Sequence, residues 1–159
     1  MKVWTAAQLK AFLDHVEDDR LHAAWRLAAS TGMRRGEVLG LRWEDVDLDA
    51  ARVSIHRTLI SVSYEVIESD AKTDNSVRVI DLDPRTVAIL RSHASRQKRE
   101  RLAAGPLYND RGFVFAKEDG SPLHPDRFSQ MFADLIAGAG LPKIRLHDLR
   151  HTHATLALQ

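Results

Sequence analysis

The chain has 159 residues, of which 44% are hydrophobic and 28% charged, as expected of a single globular domain with a packed core. It contains no cysteine, which excludes a disulfide framework and thiolate metal sites and favours a cytoplasmic protein, and it has no apolar run long enough to span a membrane. A formal net charge of +1 excludes the overall basicity of a simple nucleic-acid binder, so any such role would depend on local arginine clusters.

The N-terminal part of the chain predicts two helices. Residues 5–8 (TAAQ) form a capping box, so a helix is expected to begin at Thr5. A second helix is predicted from about Leu21 to Ser30, with ordinary core packing of its apolar residues. Gly32 ends it, because glycine tolerates the left-handed conformation that a C-terminal cap needs.

A third, short helix is predicted within residues 33–41 (MRRGEVLGL), with Arg34 at its entrance. An arginine there lies beside the amides of a helix N-terminus, and together they suit an anion. Glu37, one turn further on, can pair with an arginine and fix its rotamer. Taken alone, two adjacent arginines are more often only a solvated pair.

Alternation of polar and apolar residues predicts a three-stranded antiparallel meander in the middle of the chain. Its strands are expected at residues 52–56, 62–68 and 76–82. The connection at residues 70–75 is rich in turn-forming side chains and would carry Lys72 at its tip or at the start of the third strand. A lysine in such a place is usually only solvated.

Two further helices are predicted after the strands. Asp83 as N-cap and Pro84 at the first helical position begin a helix that runs to Leu102. Residues 113–115 indicate a short buried strand or extended segment, and residues 125–138 a helix with an apolar inner face. The outer face of the first of these helices carries the densest basic cluster in the chain, Arg85, Arg91, Arg96, Lys98, Arg99 and Arg101.

The last helix is predicted within residues 146–158 (LHDLRHTHATLAL). His147, Arg150 and His151 are three and four residues apart, so they share one face. A guanidinium beside an imidazole suits a phosphate, because the guanidinium holds two oxygens while the imidazole handles a proton. The same residues also spell His-Asp-x-x-His, close to the His-Glu-x-x-His motif of zinc hydrolases. A polar, solvated helix start is the third interpretation.

Three separated motifs resemble the signatures of a single protein family. They are residues 31–41 (TGMRRGEVLGL), 72–80 (KTDNSVRVI) and 147–155 (HDLRHTHAT). Together, and in this order, they resemble the signatures of the tyrosine recombinases, most of all the catalytic domain of phage-type integrases. The resemblance covers nearly the whole chain from Thr5 onward. It implies an α+β fold that is mainly helical, with a small three-stranded antiparallel sheet.

The resemblance also implies roles for particular residues. Arg34 and Arg150 would clamp the scissile DNA phosphate, and Lys72 would protonate the departing 5′ oxygen. His147 would assist proton transfer and hold the phosphate. Elementary electrostatics agrees, because the transition state spreads negative charge over the phosphate oxygens and preorganised cations stabilise it. Glu37 and His151 would support these residues.

The function implied is site-specific DNA recombination, as in DNA integration by a phage-encoded or bacterial recombinase in the cytoplasm. The partner would be duplex DNA, with protomers assembling on it, and neither a cofactor, a metal nor a membrane would be needed.

The chain departs from the family pattern at the nucleophile. The family has a third motif, followed by a tyrosine that attacks phosphorus and forms a 3′-phosphotyrosyl link. The sequence reaches Gln159 before either, and its two tyrosines are Tyr64, predicted within a strand, and Tyr108, predicted in a loop. We therefore expect residues 1–159 to be a recombinase catalytic domain that is incomplete at its C-terminus and inactive alone.

Two alternatives remain beside this interpretation. A zinc site at His147 and His151 would place the permanent cation of Arg150 next to a dication, which is electrostatically poor, and it would leave Arg34 and Lys72 without a role. A DNA-binding module without strand cleavage, built on the same fold, fits the absence of a placed nucleophile.

Overall fold

The computed structural model describes residues 2–70 and 77–157. Within these residues the chain forms six α-helices: α1 Ala6–His15, α2 His22–Thr31, α3 Arg35–Gly40, α4 Pro84–Ala104, α5 Pro125–Ala139 and α6 Asp148–Ala157. The caps are local. Thr5 and Gln8 form the predicted capping box at α1, and the Asp83 carboxylate accepts from the Thr86 amide at α4. None of the described helices is long and apolar enough to cross a membrane.

An aromatic cluster forms the centre of the core. Trp25 of α2 stacks on Phe128 of α5 with ring centroids 4.3 Å apart, and Phe12 of α1 meets Phe132 edge-on at 5.3 Å. Trp4 lies over the same rings and donates its backbone N–H to the Thr152 hydroxyl of α6 at 3.2 Å. Burial of these rings therefore joins α1, α2, α5 and the N-terminal segment, and the bond from Trp4 adds α6.

Five short strands form two separate antiparallel sheets in the described residues. The strands are β1 Val46–Asp47, β2 Arg52–Ile55, β3 Arg57–Val62, β4 Glu65–Asp70 and β5 Arg78–Asp81. One sheet has the order β1-β2-β5, and β3 and β4 form a two-stranded hairpin. The expectation of a mainly helical fold with a small antiparallel sheet is confirmed.

The predicted meander is correct in its first and third strands, which are β2 and β5, and wrong in its middle strand and in its strand order. Residues 62–68, expected as one strand, contain the turn of the β3–β4 hairpin, and β2 pairs directly with β5, with Ile55 opposite Arg78. The turn escaped prediction because Ser63 and Tyr64 adopt left-handed conformations, with φ of 51° and 68°, that normally require glycine or asparagine. The third strand of the real sheet is β1, which lies outside the three predicted strands.

The β3–β4 hairpin lies directly on α3. A Cβ on Gly36 would be 2.6 Å from the Leu59 carbonyl oxygen, and one on Gly40 would be 3.2 Å from the Thr58 Cα. Two glycines one helical turn apart thus let the backbone of β3 approach the helix. At its other side, β3 is tied to α5 by the Ser61 hydroxyl, 3.1 Å from the His124 Nε2 atom.

Candidate functional site

A cleft of about 810 Å³ opens between the start of α3, strand β3, the first turns of α5 and the segment that leads into α6. Arg34, His147 and Arg150 all line it. The fourth predicted residue, Lys72, lies outside the described residues. A second cleft, of about 640 Å³, contains none of the predicted residues.

Arg34 occupies the N-cap of α3. Its backbone N–H donates to the Glu37 Oε1 atom at 2.8 Å, which satisfies one of the amides that a helix start leaves without a partner. Its side chain is 58% exposed, and its Nη1 atom is 3.8 Å from the Glu37 Oε2 atom. The guanidinium is therefore held near the carboxylate but keeps donors directed to solvent.

Glu37 pairs most directly with Arg78 of β5, a residue that the sequence motifs contain but did not single out. The two guanidinium nitrogens Nη1 and Nη2 donate to the carboxylate at 2.9 and 3.1 Å. Burial opposes the charge on Glu37, but the hydrogen bonds from Arg78 and from the Arg34 amide outweigh it and hold the pKa of the carboxyl below its usual value. Glu37 is thus an anion, only 8% exposed, between two arginines.

Arg150 lies in the first turn of α6 and is partly buried. Burial lowers the pKa of its guanidinium, the positive charges of Arg34 and Arg78 lower it further, and the negative charge of Glu37 opposes them. The group remains a cation, because an arginine does not deprotonate in a protein. Within the described residues its guanidinium makes no hydrogen bond, which leaves its donors available to a ligand.

The packing of α6 brings Arg150 close to Arg34. Gly32, in the left-handed cap that ends α2, faces the imidazole of His153 on α6. The bond from the Trp4 amide to Thr152 holds the same helix from the other side. The turn between α2 and α3, which carries Arg34, and the first turn of α6, which carries Arg150, are thereby fixed relative to each other.

The two histidines of the last motif lie side by side. His147 is exposed in the turn before α6, His151 is partly buried on the helix, and their rings meet edge-to-face with centroids 5.1 Å apart. Asp148 does not join them. Its carboxylate accepts from the Arg145 backbone N–H at 2.9 Å and from the Arg145 guanidinium at 3.2 and 3.3 Å.

The zinc interpretation has little support in this arrangement. The hydrogen bonds from Arg145, against a smaller effect of burial, lower the pKa of Asp148, and both of its carboxylate oxygens are engaged there. Among residues 2–70 and 77–157, no group of three histidine or carboxylate side chains is arranged to hold a metal ion.

The basic face of α4 contributes no side chain to the cleft. Arg91 pairs with Asp49 at 2.9 Å, and Arg96 donates to the Arg20 carbonyl at 3.0 Å. Arg101 pairs with Asp110 at 2.8 Å. These three arginines are engaged within the domain, whereas Arg34 and Arg150 both line the cleft.

Neither tyrosine of the chain lines the cleft. Tyr64 lies at the tip of the β3–β4 hairpin and is 92% exposed. The prediction that it lies within a strand is therefore wrong. Tyr108 follows a 3-10 turn after α4, where its ring lies 5.9 Å from the Arg101 guanidinium carbon and burial raises the pKa of its hydroxyl.

Comparison with known proteins gives the class of the chain. A sequence model described as the phage integrase family matches residues 2–159, so the chain belongs to that family. It is 31% identical over 167 residues to a tyrosine recombinase XerC-like protein of Caldanaerobacter subterraneus and 27% identical over 160 residues to the ICEBs1 integrase of Bacillus subtilis. The matches cover 98% and 99% of this chain but only 43% of each relative.

Solved structures share the fold. The Tn1549 transposon integrase, solved in complex with transposon right end DNA, superposes with a TM-score of 0.83 at 24% identity, over 99% of this chain and 53% of that one. The XerA recombinase gives a TM-score of 0.77 at 23% identity, over 99% of this chain and 51% of that one. This chain therefore has the same fold as these recombinases.

Proposed function

We propose that the protein acts in site-specific DNA recombination and that its cleft binds the scissile phosphate of duplex DNA. One observation carries this proposal: Arg34 and Arg150, which come from opposite ends of the chain, line one cleft together with His147. Two fixed guanidinium groups can donate hydrogen bonds to the oxygens of a phosphodiester. Their positive charge stabilises the negative charge that develops on these oxygens in the transition state.

The proposed reaction is phosphoryl transfer to a tyrosine. The tyrosine oxygen attacks phosphorus, the bond to the 5′ oxygen breaks, and a 3′-phosphotyrosyl link forms. Arg34 and Arg150 would hold the non-bridging oxygens, and Lys72 would give the departing 5′ oxygen its proton. His147 would assist proton transfer, with His151 supporting its ring and Glu37 supporting Arg34. Rejoining reverses these steps with a new 5′ hydroxyl.

The relatives suggest the setting of this reaction. The Tn1549 integrase was solved on transposon DNA, and a lambda integrase was solved as a dimer bound to a core site. By analogy, this domain would act on duplex DNA as one of several protomers, in the cytoplasm of a bacterium. Residues 1–159 would be the part of a recombinase catalytic domain that contains the phosphate-binding arginines.

Binding of a labelled DNA duplex, measured by fluorescence anisotropy, tests the site. We expect weak binding with little sequence preference that falls steeply between low and physiological salt, because phosphate contacts dominate. Arg34→Gln and Arg150→Gln should each weaken it about tenfold. The matched control is Arg99→Gln, which removes an exposed arginine of α4 outside the cleft. Equal losses in all three variants would overturn the proposal.

A DNA-binding module without strand cleavage is the second candidate, favoured by the position of both tyrosines outside the cleft. An adduct assay with the full-length protein distinguishes a recombinase from a DNA-binding module. Incubation with a nicked suicide duplex should leave a covalent protein–DNA adduct on a denaturing gel if the protein is a recombinase. A product that binds the duplex but never forms the adduct would be such a module.

A further inference from the structure

Glu37 receives more positive charge than it can neutralise. Its Oε1 atom accepts from the Arg34 amide and from the Arg78 Nη2 atom, and its Oε2 atom accepts from the Arg78 Nη1 atom. The Arg34 guanidinium is the more distant partner, with its Nη1 atom 3.8 Å from Oε2. The carboxylate therefore gives its short, bidentate interaction to Arg78 and only a long ion pair to Arg34.

This difference between the two contacts leaves the positive charge of Arg34 available to a ligand in the cleft. A carboxylate that is nearly buried beside a guanidinium seeks hydrogen bonds, because an unpaired buried charge is costly. Without Arg78, the nearest guanidinium within reach of Glu37 is that of Arg34. A direct pair between them would occupy donors that are now exposed and would neutralise the cation that faces the cleft.

We propose that Arg78 is a positioning residue that engages the Glu37 carboxylate and so keeps the guanidinium of Arg34 available for a DNA phosphate. This inference rests on the proposed function, since it concerns the ligand of the same cleft. The setting of Arg78 fits this role, because its side chain is only 39% exposed and its strand β5 is held by β2 through the register of Ile55 with Arg78.

The pairing also joins two elements that are not neighbours in sequence. Arg78 is on β5, and Glu37 is in the first turn of α3, whose N-cap is Arg34. The two parallel hydrogen bonds fix the plane of the Arg78 guanidinium relative to the plane of the Glu37 carboxylate, which a single contact from a lysine would not do. Arg78 therefore sets the rotamer of Glu37, and Glu37 sets the position of the Arg34 backbone.

A double-mutant cycle of DNA binding distinguishes this role from direct contact. Arg78→Gln alone should weaken binding of a short duplex about tenfold, as expected when one charge-assisted contact is lost. Glu37→Gln serves as the second background, because glutamine keeps the cap on the Arg34 amide but has no negative charge to draw the Arg34 guanidinium away from the cleft. Adding Arg78→Gln to Glu37→Gln should then cost at most about twofold.

A tenfold loss in both backgrounds would mean that Arg78 contacts the phosphate itself, which overturns the inference. Arg78→Lys serves as the conservative variant and should restore binding in part, because lysine supplies charge without the second hydrogen bond. Should Arg78→Gln not fold, Arg78→Lys with and without Glu37→Gln completes the same cycle.

A carboxyl ¹³C NMR titration of Glu37 gives a readout that needs no DNA. The pKa of Glu37 should rise only a little in Arg78→Gln, because Arg34 replaces the lost partner, and should rise further when Arg34→Gln is added. A rise in Arg78→Gln that Arg34→Gln does not increase would overturn the inference. If the NMR shift appears but the unchanged protein shows no Arg34-dependent DNA binding, the proposed function fails, and the inference fails with it. If Arg34-dependent binding appears but Arg78→Gln binds normally, only the inference fails.

Discussion

Gly32 and His153 are in contact across the interface between α2 and α6. A Cβ on Gly32 would lie 2.8 Å from the His153 Cδ2 atom, and Gly32 has a φ of +69°. Both the left-handed backbone and the nearby ring require glycine. Because Arg34 follows two residues later and Arg150 precedes His153 on the same helix, this contact sets the separation of the two cleft arginines.

Gly32→Ala should destabilise the domain by about 2–4 kcal/mol, from the unfavourable φ and the displacement of α6. Gly140→Ala is the matched control, since Gly140 has the same left-handed conformation, with φ of 68° and ψ of 25°, but a Cβ there would meet nothing within 4 Å. It should cost only about 1–2 kcal/mol. Urea unfolding followed by circular dichroism measures both. Adding His153→Ala should recover part of the Gly32→Ala loss, and no recovery would contradict the assigned contact.

Gly36→Ala should also destabilise the domain, although alanine favours a helix by about 1 kcal/mol. A Cβ there would be 2.1 Å from the Thr58 Oγ1 atom and 2.6 Å from the Leu59 carbonyl, so β3 must move away from α3. We expect a net loss of about 1–3 kcal/mol. Gly138→Ala on α5 is the control, because its Cβ would make only an ordinary contact, 3.5 Å from the His15 Nε2 atom. It should leave stability unchanged or slightly raised.

The buried His93 makes the stability depend on pH. Its Nε2–H donates to the Val114 carbonyl at 2.6 Å, and burial lowers the pKa of its imidazole, partly offset by that hydrogen bond. The unfolded chain therefore takes up a proton at a higher pH than the folded one. Stability should fall as pH drops below about 6.5, the usual histidine pKa, by at most about 1.4 kcal/mol per pH unit for this group.

His93→Gln should lower stability at neutral pH but make the decline below about pH 6.5 shallower. His22, whose pKa burial also lowers, should preserve part of the slope. The control is His15→Gln, which makes the same substitution at an exposed position. Urea unfolding at a series of pH values measures the effect. An equal slope in His93→Gln and the unchanged protein would show that His93 is not responsible.

The 159-residue polypeptide should not form a covalent adduct with DNA. Neither Tyr64, at the exposed hairpin tip, nor Tyr108, against Arg101, lines the cleft, so no tyrosine oxygen is placed to attack a phosphate held there. A nicked suicide duplex and a denaturing gel test this. An adduct that disappears with Tyr64→Phe or Tyr108→Phe would show that one of these residues reaches the cleft.

Features that depend on neighbouring residues could be predicted from the sequence. The helix starts at Thr5 and Asp83 were predictable because a cap is a hydrogen bond over three residues. The family followed from three motifs, each of which is a short local pattern. The placement of Arg34 at a helix entrance was predictable for the same reason, since Gly32 ends one helix just before it.

Contacts between residues far apart in the sequence depend on the tertiary structure. The sequence pattern shows that Glu37 can pair with an arginine, but strand register makes Arg78 that arginine. The Ser63–Tyr64 turn was missed because neither residue is a usual left-handed turn former, and its conformation is set by the pairing of β3 with β4. Periodicity reports which face of an element is apolar, whereas the partner on that face depends on packing across the whole domain.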